Sequence, residues 1–557
     1  MGERVSESNG QKDLAWWRFV PWVLAGCCIL GLIWMRFGAE VSDFGFLNVV
    51  SYLLGMAAAF FSLLAMMLTT SRRVWVSGLL LPVFVVGVLL AFFRIDRVDS
   101  EIVPKFAWRW TKAAELPESA GTPTNAEDAF FAPSDKDYPQ FLGPNANSTL
   151  PGVEVETNWS EHPPKIAWKQ PIGKGWSGFV VQGNAAYTME QRDQEEWVSC
   201  YDVDTGRLLW HYAIPGLHFH PLGGTGPRAT PTLHEGRVYA QSAVSDLVCL
   251  DMRTGKPIWS FDMLKASKST QAEFEASVSW GRSASPVIVD GKVIAALGGS
   301  DNAKLQSLIA LDANNGTEVW RGGSSQISYS TPVVTSLLGQ PQIVYTSESS
   351  VTAHSIADGA EMWSIKWPSR SNGDANVSQP VTIDDSHVLL SKGYGGGAEL
   401  LKIAKSDAAW TAEAVWKSEG VLRTKFTSCV VKDGHAYGLN DGILECVNLE
   451  NGKRTWKKGR YRHGQVLLVG ETLVITAENG SVVLVATDPK ELRELASLPV
   501  IGDVTWNTAA LSGDRLLIRN SDEAACVILP LKVSSTGATS TGTTSNGATS
   551  EQGAASE

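Results

Sequence analysis

An eight-bladed, all-β propeller of four-stranded antiparallel blades, carried behind an α-helical membrane anchor, is the fold class this sequence predicts. Three observations predict it. Three long apolar stretches fall within the first 93 residues, a frame with Gly four residues before Trp recurs through the chain that follows, and a lone strand at Lys165–Pro171 matches a strand missing from the last repeat.

The apolar stretches cover about 14–35, 47–70 and 74–93; the first holds only Arg18 as a charge and the other two hold none. About 20 residues at 1.5 Å each cross ~30 Å of hydrocarbon, and a cleaved signal peptide would be one shorter segment. Residues 1–110 therefore read as a membrane anchor of three helices, with the lipid bilayer as the first partner. Arg4, Lys12, Arg18 and the Arg72–Arg73 link place the N-terminus in the cytoplasm by the positive-inside rule, although Arg94, Arg97, Lys105 and Arg109 run against it. The expectation is an inner (cytoplasmic) membrane protein with its large domain on the periplasmic side. Residues 111–137, rich in Ala, Glu, Pro and Thr, read as a linker, and 534–557, almost entirely Ser, Thr, Gly and Ala, as a disordered tail.

Of the 557 residues, 47 are Lys or Arg and 58 are Asp or Glu, a net charge of −11. The anchor is slightly basic, so the acidic excess belongs to the outer domain, and such a surface is poorly suited to a phosphate backbone. Nucleic acid is not expected as a partner.

The outer domain, 138–533, is built on a repeat. Cys200-Tyr-Asp202-Val-Asp-Thr-Gly206-Arg-Leu-Leu-Trp210 is echoed by Cys249 to Trp259, with Asp251 and Gly255, and again by Ala310–Trp320, Ala353–Trp363 and Cys446–Trp456. A weaker copy ends at Trp416, and Trp168 has only the final part. In the second copy Arg228–Leu233, Val238–Gln241, Leu247–Asp251 and Pro257–Phe261 read as four strands joined by Gly- or Asp-containing turns. One such sheet cannot bury both faces; stacking in a closed ring does so and leaves no free ends. Counting gives eight units. The eighth, from Trp506 to Leu529, lacks its outer strand, and Lys165–Pro171 supplies it, which an open stack or a β-sandwich would leave unpaired. Trp168, Trp210, Trp259, Trp320, Trp363, Trp416 and Trp456 are expected to dock neighbouring blades, each indole N–H reaching a backbone carbonyl next door.

The repeat resembles the tryptophan-docking motif of the pyrroloquinoline quinone (PQQ) propellers. These include the quinoprotein alcohol and glucose dehydrogenases and the non-enzymatic propeller subunit of the outer-membrane β-barrel assembly machinery. The phrases Tyr138–Asn145, Pro227–Pro231 and Tyr437–Gly442 look like those of membrane-anchored PQQ-like repeat proteins of planctomycete-type bacteria. The dehydrogenase resemblance implies PQQ above a Ca²⁺ ion, a catalytic Asp and, in many members, adjacent disulfide-linked cysteines. Here the one adjacent pair, Cys27-Cys28, falls in the first apolar span, and no Asp/Asn/Glu cluster with the spacing of a Ca²⁺ cage is evident.

No nucleophile elbow, P-loop or zinc signature occurs in a supporting context, so no catalytic residue and no metal ligand is assigned. Cys200, Cys249 and Cys446 hold one repeat position on three blades, too far apart to bridge, and with Cys429 and Cys526 read as buried free thiols. His218 and His220 have the i, i+2 spacing of a metal pair but lack a third ligand, and read as loop-packing histidines. Gly395-Gly396-Gly397 reads as a hairpin loop.

Repeat phase selects one further set. The residues just before each blade's first strand, Trp176, Arg228, Arg282, Tyr329, Asn376, Lys425, His463 and Trp506, should ring one mouth of the central channel. Two Arg and a Lys among aromatics would suit a planar anionic ligand: a tricarboxylated quinone, an acidic peptide or a sugar acid. The plainer alternative is that they tie loops and line a wet channel. The functional expectation is a non-catalytic scaffold that binds a protein, peptide or ligand and needs no cofactor. Its alternative is a PQQ-dependent quinoprotein dehydrogenase that uses calcium, oxidises an alcohol or sugar and passes electrons to the membrane.

Overall fold

A computed structural model describes residues 16–37, 44–111, 114–118, 128–300, 304–368, 375–407, 409–502 and 504–532. The tail at 534–557 and residues 119–127 of the linker lie outside the described residues.

A short 3₁₀ turn, Trp16–Phe19, leads into α1 (Val20–Phe37), followed by α2 (Phe44–Thr69) and α3 (Arg72–Phe92). All three are long and apolar enough to cross a membrane. The indole of Trp22 near the start of α1 donates to the hydroxyl of Thr69 at the end of α2 (3.3 Å), as antiparallel neighbours require. The sequence reading places no element directly after the third span. The structure forms a hairpin there, β1 (Phe93–Val98) against β2 (Pro104–Trp108). Phe92, Phe93, Trp108 and Trp110 cluster at its base, where amphipathic rings suit a membrane–water boundary.

The tip of this hairpin ties the anchor to the ring. Arg462 contacts Asp99 (3.1 Å) and Glu101 (3.6 Å), Arg460 pairs with Glu101, Arg97 with Asp522, and the Ser100 hydroxyl donates to Glu478. On the anchor side, Asn48 of α2 donates to the Glu101 carbonyl (2.6 Å) and accepts from Arg36 of α1 (2.7 Å). One polar chain thus runs from two membrane helices through the hairpin tip into the sixth blade.

Eight antiparallel sheets follow in order around the ring. In the eighth, Lys165–Pro171 pairs with Glu523–Ile528, with Trp168 opposite Cys526. The blades depart from the expected uniform four strands once: Thr149–Leu150 adds a parallel fifth strand to the seventh blade. The second blade's first strand begins at Thr232 rather than Arg228, because the preceding Pro231 offers no N–H to a ladder. Extra length in the third repeat forms two helices, Met263–Ala266 and Gln271–Ser277, the second started by a capping box of Thr270 and Glu273. In the fifth it extends two strands, Gly397–Lys405 and Trp410–Ser418, and Gly395–Gly397 turns the hairpin before them.

The repeated letters explain how blades adhere. Asp251 accepts the N–H groups of Arg253 and Thr254, and its carbonyl accepts that of Gly255, folding a tight turn. Asp202, Asp312 and Asn448 do the same in their blades. The Gly of each turn lies under the Trp of the blade before: Gly206 under Trp168, Gly255 under Trp210, Gly316 under Trp259, Gly359 under Trp320, Gly452 under Trp416. The indole then donates to the carbonyl beside that turn, as from Trp168 to Val203 (2.7 Å), Trp259 to Ala313 (3.0 Å) and Trp416 to Leu449 (2.7 Å). Trp363 differs. The fifth blade has no such Gly turn, and Trp363 donates instead to Gln342 of its own blade (2.8 Å) while packing on Val388 and Leu401.

Residues 138–150 cross the end of the channel remote from the strand starts. Tyr138 bridges Val181 in blade one, the Leu233 N–H of blade two donates to Pro139, and Thr149–Leu150 pairs with the far end of Gln465–Val469 in blade seven. The phrase beginning at Tyr138 is therefore a plug laid across that end of the channel.

Candidate functional site

Above the plug is a cavity of about 630 Å³, a size suited to a small ligand. Phe141 and Leu142 of the plug contribute its floor, the strand starts its wall, and Phe46 and Val49 of α2 with Ser100 and Ile102 of the hairpin tip its roof. The mouth of the channel therefore faces the anchor.

Five of the eight residues selected by repeat phase line this cavity: Trp176, Arg228, Tyr329, Lys425 and Trp506. The rings of Trp176 and Trp506 close the circle between blades one and eight, with centroids 4.7 Å apart at 34°. Trp176 donates to the Gly223 carbonyl (2.5 Å), which fixes its ring. Arg228 donates to the carbonyls of Gly223 (2.9 Å) and Gly226 (3.1 Å). Burial pulls its pKa down to about 10, opposed by Tyr329 and Glu196, so it remains a cation at neutral pH. The Lys425 ammonium is 3.7 Å from Asp441 and 5.7 Å from the centre of the Tyr394 ring.

The other three are not brought to the cavity. Arg282, 1 % exposed, donates to the carbonyls of Val244 (2.5 Å) and Leu297 (3.1 Å) and lies over the Phe274 ring. Asn376 donates to the carbonyls of Ser347, Glu348 and Trp367. His463 is buried beside Phe426, its backbone N–H on Glu478. Arg282 and Asn376 take the loop-tying role set against ligand binding, because inserted helices or long connections place backbone carbonyls around them.

Several wall residues escape the phase rule. Trp280 lies two residues before Arg282 and Phe426 directly after Lys425, and Phe426 extends the row of tilted rings through Trp506 (4.9 Å between centroids). Trp280 packs on Tyr329 (5.1 Å), and its indole donates to His220 Nδ1 (2.8 Å). That nitrogen also receives the N–H groups of Leu222 and Gly223, so His220 positions the Trp280 ring. His218 is buried, its nearest carboxylate oxygen 3.9 Å away on Glu275, and burial lowers its pKa to about 3. Tyr394 enters from the glycine hairpin of blade five. The α2 residues carry no sequence signal for this role, since their place depends on how the hairpin tip seats on the ring.

Deeper in the channel, the strand starts are joined blade to blade. The Gly178 N–H donates to Thr230, Thr230 to Ser285, and Ser285 to Thr331, each to a hydroxyl at 2.9–3.0 Å. This belt holds the cavity wall rigid across four blades. Among the described residues no group of three or more His, Cys, Asp or Glu side chains could hold a metal ion. The five cysteines of the ring are free and buried.

The family described as outer membrane protein assembly factor BamB matches residues 194–458. The dehydrogenase subunit of a quinone alcohol dehydrogenase from Komagataeibacter europaeus is 30 % identical over 163 residues, covering 28 % of this chain and 21 % of the relative. This chain thus spans about a fifth of that relative's length. BamB of Moranella endobia is 23 % identical over 287 residues, covering 50 % of this chain and 67 % of the relative. A europium-containing methanol dehydrogenase superposes with a TM-score of 0.51 at 11 % identity, covering 68 % of this chain and 89 % of the other, a likeness of fold alone.

Proposed function

We propose that this membrane-associated PQQ-repeat-like propeller, related in fold to BamB and to the quinoprotein dehydrogenases, is a non-catalytic binding module. It takes an anionic ligand with a planar or apolar body at the channel mouth, and its propeller stands on the periplasmic side of the cytoplasmic membrane. The observation that carries this reading is the cavity wall itself. Arg228 is held by carbonyls beside the Trp176–Trp506 pair, an arrangement that grips an anion and packs a ring in one place. The wall fits the ring and carboxylates of PQQ through Trp176, Trp506, Arg228 and Lys425. For that quinone's calcium ion the wall offers little: among the described residues no group of three or more His, Cys, Asp or Glu side chains comes together, and the carboxylate lining the cavity, Asp99, is engaged by Arg462.

The dehydrogenase reading is the second, and the sequence likenesses lean towards it: a dehydrogenase subunit is 30 % identical over 163 residues, whereas a BamB reaches that identity over 99. A protein partner is supported by likeness to the assembly factors. The experiment that separates catalysis from binding is titration of the detergent-solubilised full chain with PQQ, with and without Ca²⁺. It is read by absorbance and by dye-linked alcohol oxidation. Calcium-dependent binding with turnover replaces the first reading by the second. Binding without turnover, lost in Arg228→Gln, supports the first.

A further inference from the structure

The roof of the cavity is a membrane helix. Phe46 and Val49 stand in the first two turns of α2, and both keep exposed side chains (62 % and 37 %) rather than burying them among the helices. Ile102 continues this surface at the hairpin tip, and Leu222 at the opposite rim is 52 % exposed. Phe219, in the same loop, is also exposed. Apolar surface therefore runs from the tryptophan wall to the flank of a segment built to lie in hydrocarbon. Left to water, such a surface is unfavourable; next to a bilayer it continues the lipid phase.

At the inner end of that path stands Arg228. Two backbone carbonyls fix its guanidinium, and the buried Glu196 acts on it from beyond ion-pair distance without a direct contact. Around it are Trp176, Trp280 and Tyr329, so a bound anion would be shielded from water and its bond to the guanidinium strengthened. A freely soluble anion would satisfy Arg228 and leave the α2 side of the cavity bare.

We propose that the cavity takes a bilayer amphiphile with a small phosphate or carboxylate head, the head on Arg228 and the hydrocarbon chain leaving past Phe46 and Val49 along α2. The proposal rests on the channel-mouth reading above and narrows its ligand to one that arrives from the membrane.

The test is native mass spectrometry of the full chain in neutral detergent, titrated separately with dioleoyl phosphatidic acid, dioleoyl phosphatidylcholine and inorganic phosphate. One phosphatidic acid per chain should be retained about tenfold more tightly than phosphatidylcholine, the worth of one charge-assisted contact. Arg228→Gln should reduce it to the phosphatidylcholine level. Val49→Gln, outside the ring, should weaken phosphatidic acid and leave inorganic phosphate unchanged, and it serves as the readout should the Arg228 variant fold poorly. If inorganic phosphate binds as tightly as phosphatidic acid, the amphiphile is overturned while an Arg228-dependent anion site stands; if the two lipids bind equally, Arg228 does not read the head group and the proposal is overturned. Tight phosphatidic acid binding that neither variant alters overturns the cavity as the site, and the channel-mouth reading with it.

Discussion

Arg462 Nη1 stands 3.1 Å from Asp99 Oδ2, joining the connection between the sixth and seventh blades to the hairpin that leaves the membrane. Asp99 is buried, and its other oxygen accepts the N–H groups of Glu101 and Val103, so one carboxylate both shapes the tip and seats it. Arg462 is partly exposed, which limits the global worth of the pair to roughly 1 kcal/mol. Arg462→Gln should leave the melting temperature close to wild type yet speed hydrogen exchange at residues 99–103. Unchanged exchange there would show that the tip is held without this contact.

Gly316 is placed under Trp259 with φ at +72°, and a methyl group on it would stand 2.7 Å from the indole. Gly236 has nearly the same backbone angle, +74°, with nothing within 4 Å of that methyl position. Gly236→Ala should therefore cost only left-handed strain, roughly 1 kcal/mol. Gly316→Ala adds the clash between blades and should cost roughly 2–4 kcal/mol. Denaturant titration of the two variants side by side reads the difference. Equal losses would mean that the Trp-on-Gly contact does not hold the seam.

These contacts explain why the fold was legible. Asp, Gly and Trp recur in the sequence because one turn, one positive φ and one indole hydrogen bond recur in space. A strand missing at the end and spare at the beginning was likewise visible as letters. The fifth strand of blade seven was not, since two residues, Thr149 and Leu150, carry no periodicity. The plug was read only as a familiar phrase, because Tyr138–Asn145 has its meaning in the channel it crosses.

The five ring cysteines give a direct check on burial. Burial raises the Cys249 thiol to about 11 and those of Cys429 and Cys526 to about 12, so almost no thiolate exists at pH 8. A thiol reagent at that pH should leave all five unmodified in the native protein and label all five after unfolding. Rapid native labelling at any of them, located by peptide mapping, would place that strand at the surface.

The site was half legible. Repeat phase locates a residue at a strand start but not which way its side chain turns, and backbone carbonyls outcompeted the cavity for Arg282 and Asn376. Trp280 and Phe426 became wall residues from positions close to the selected ones. The α2 contribution depends on the Asp99–Arg462 seat, a contact 363 residues long in sequence.

Glu196 links the seam of blades one and two to pH. Its side chain is fully buried, with Oε2 accepting the Ala243 N–H at 2.9 Å. Burial raises its pKa to about 7, against the pull of that hydrogen bond, of Ser242 and of Arg228, and with a further push from Asp246. A carboxyl with a folded pKa above the unfolded value of about 4.3 binds more protons in the native state between those two values. Its contribution to stability is therefore complete below about pH 4 and is lost as pH rises through 7. Glu196→Gln keeps an oxygen for Ala243 and cannot ionise. Melting temperature plotted from pH 5 to 8 should fall less steeply in the variant than in wild type, with the variant gaining on wild type towards pH 8. Parallel curves would show that Glu196 is already relieved of its burial, and the tight seam beside Arg228 would have to be open to water.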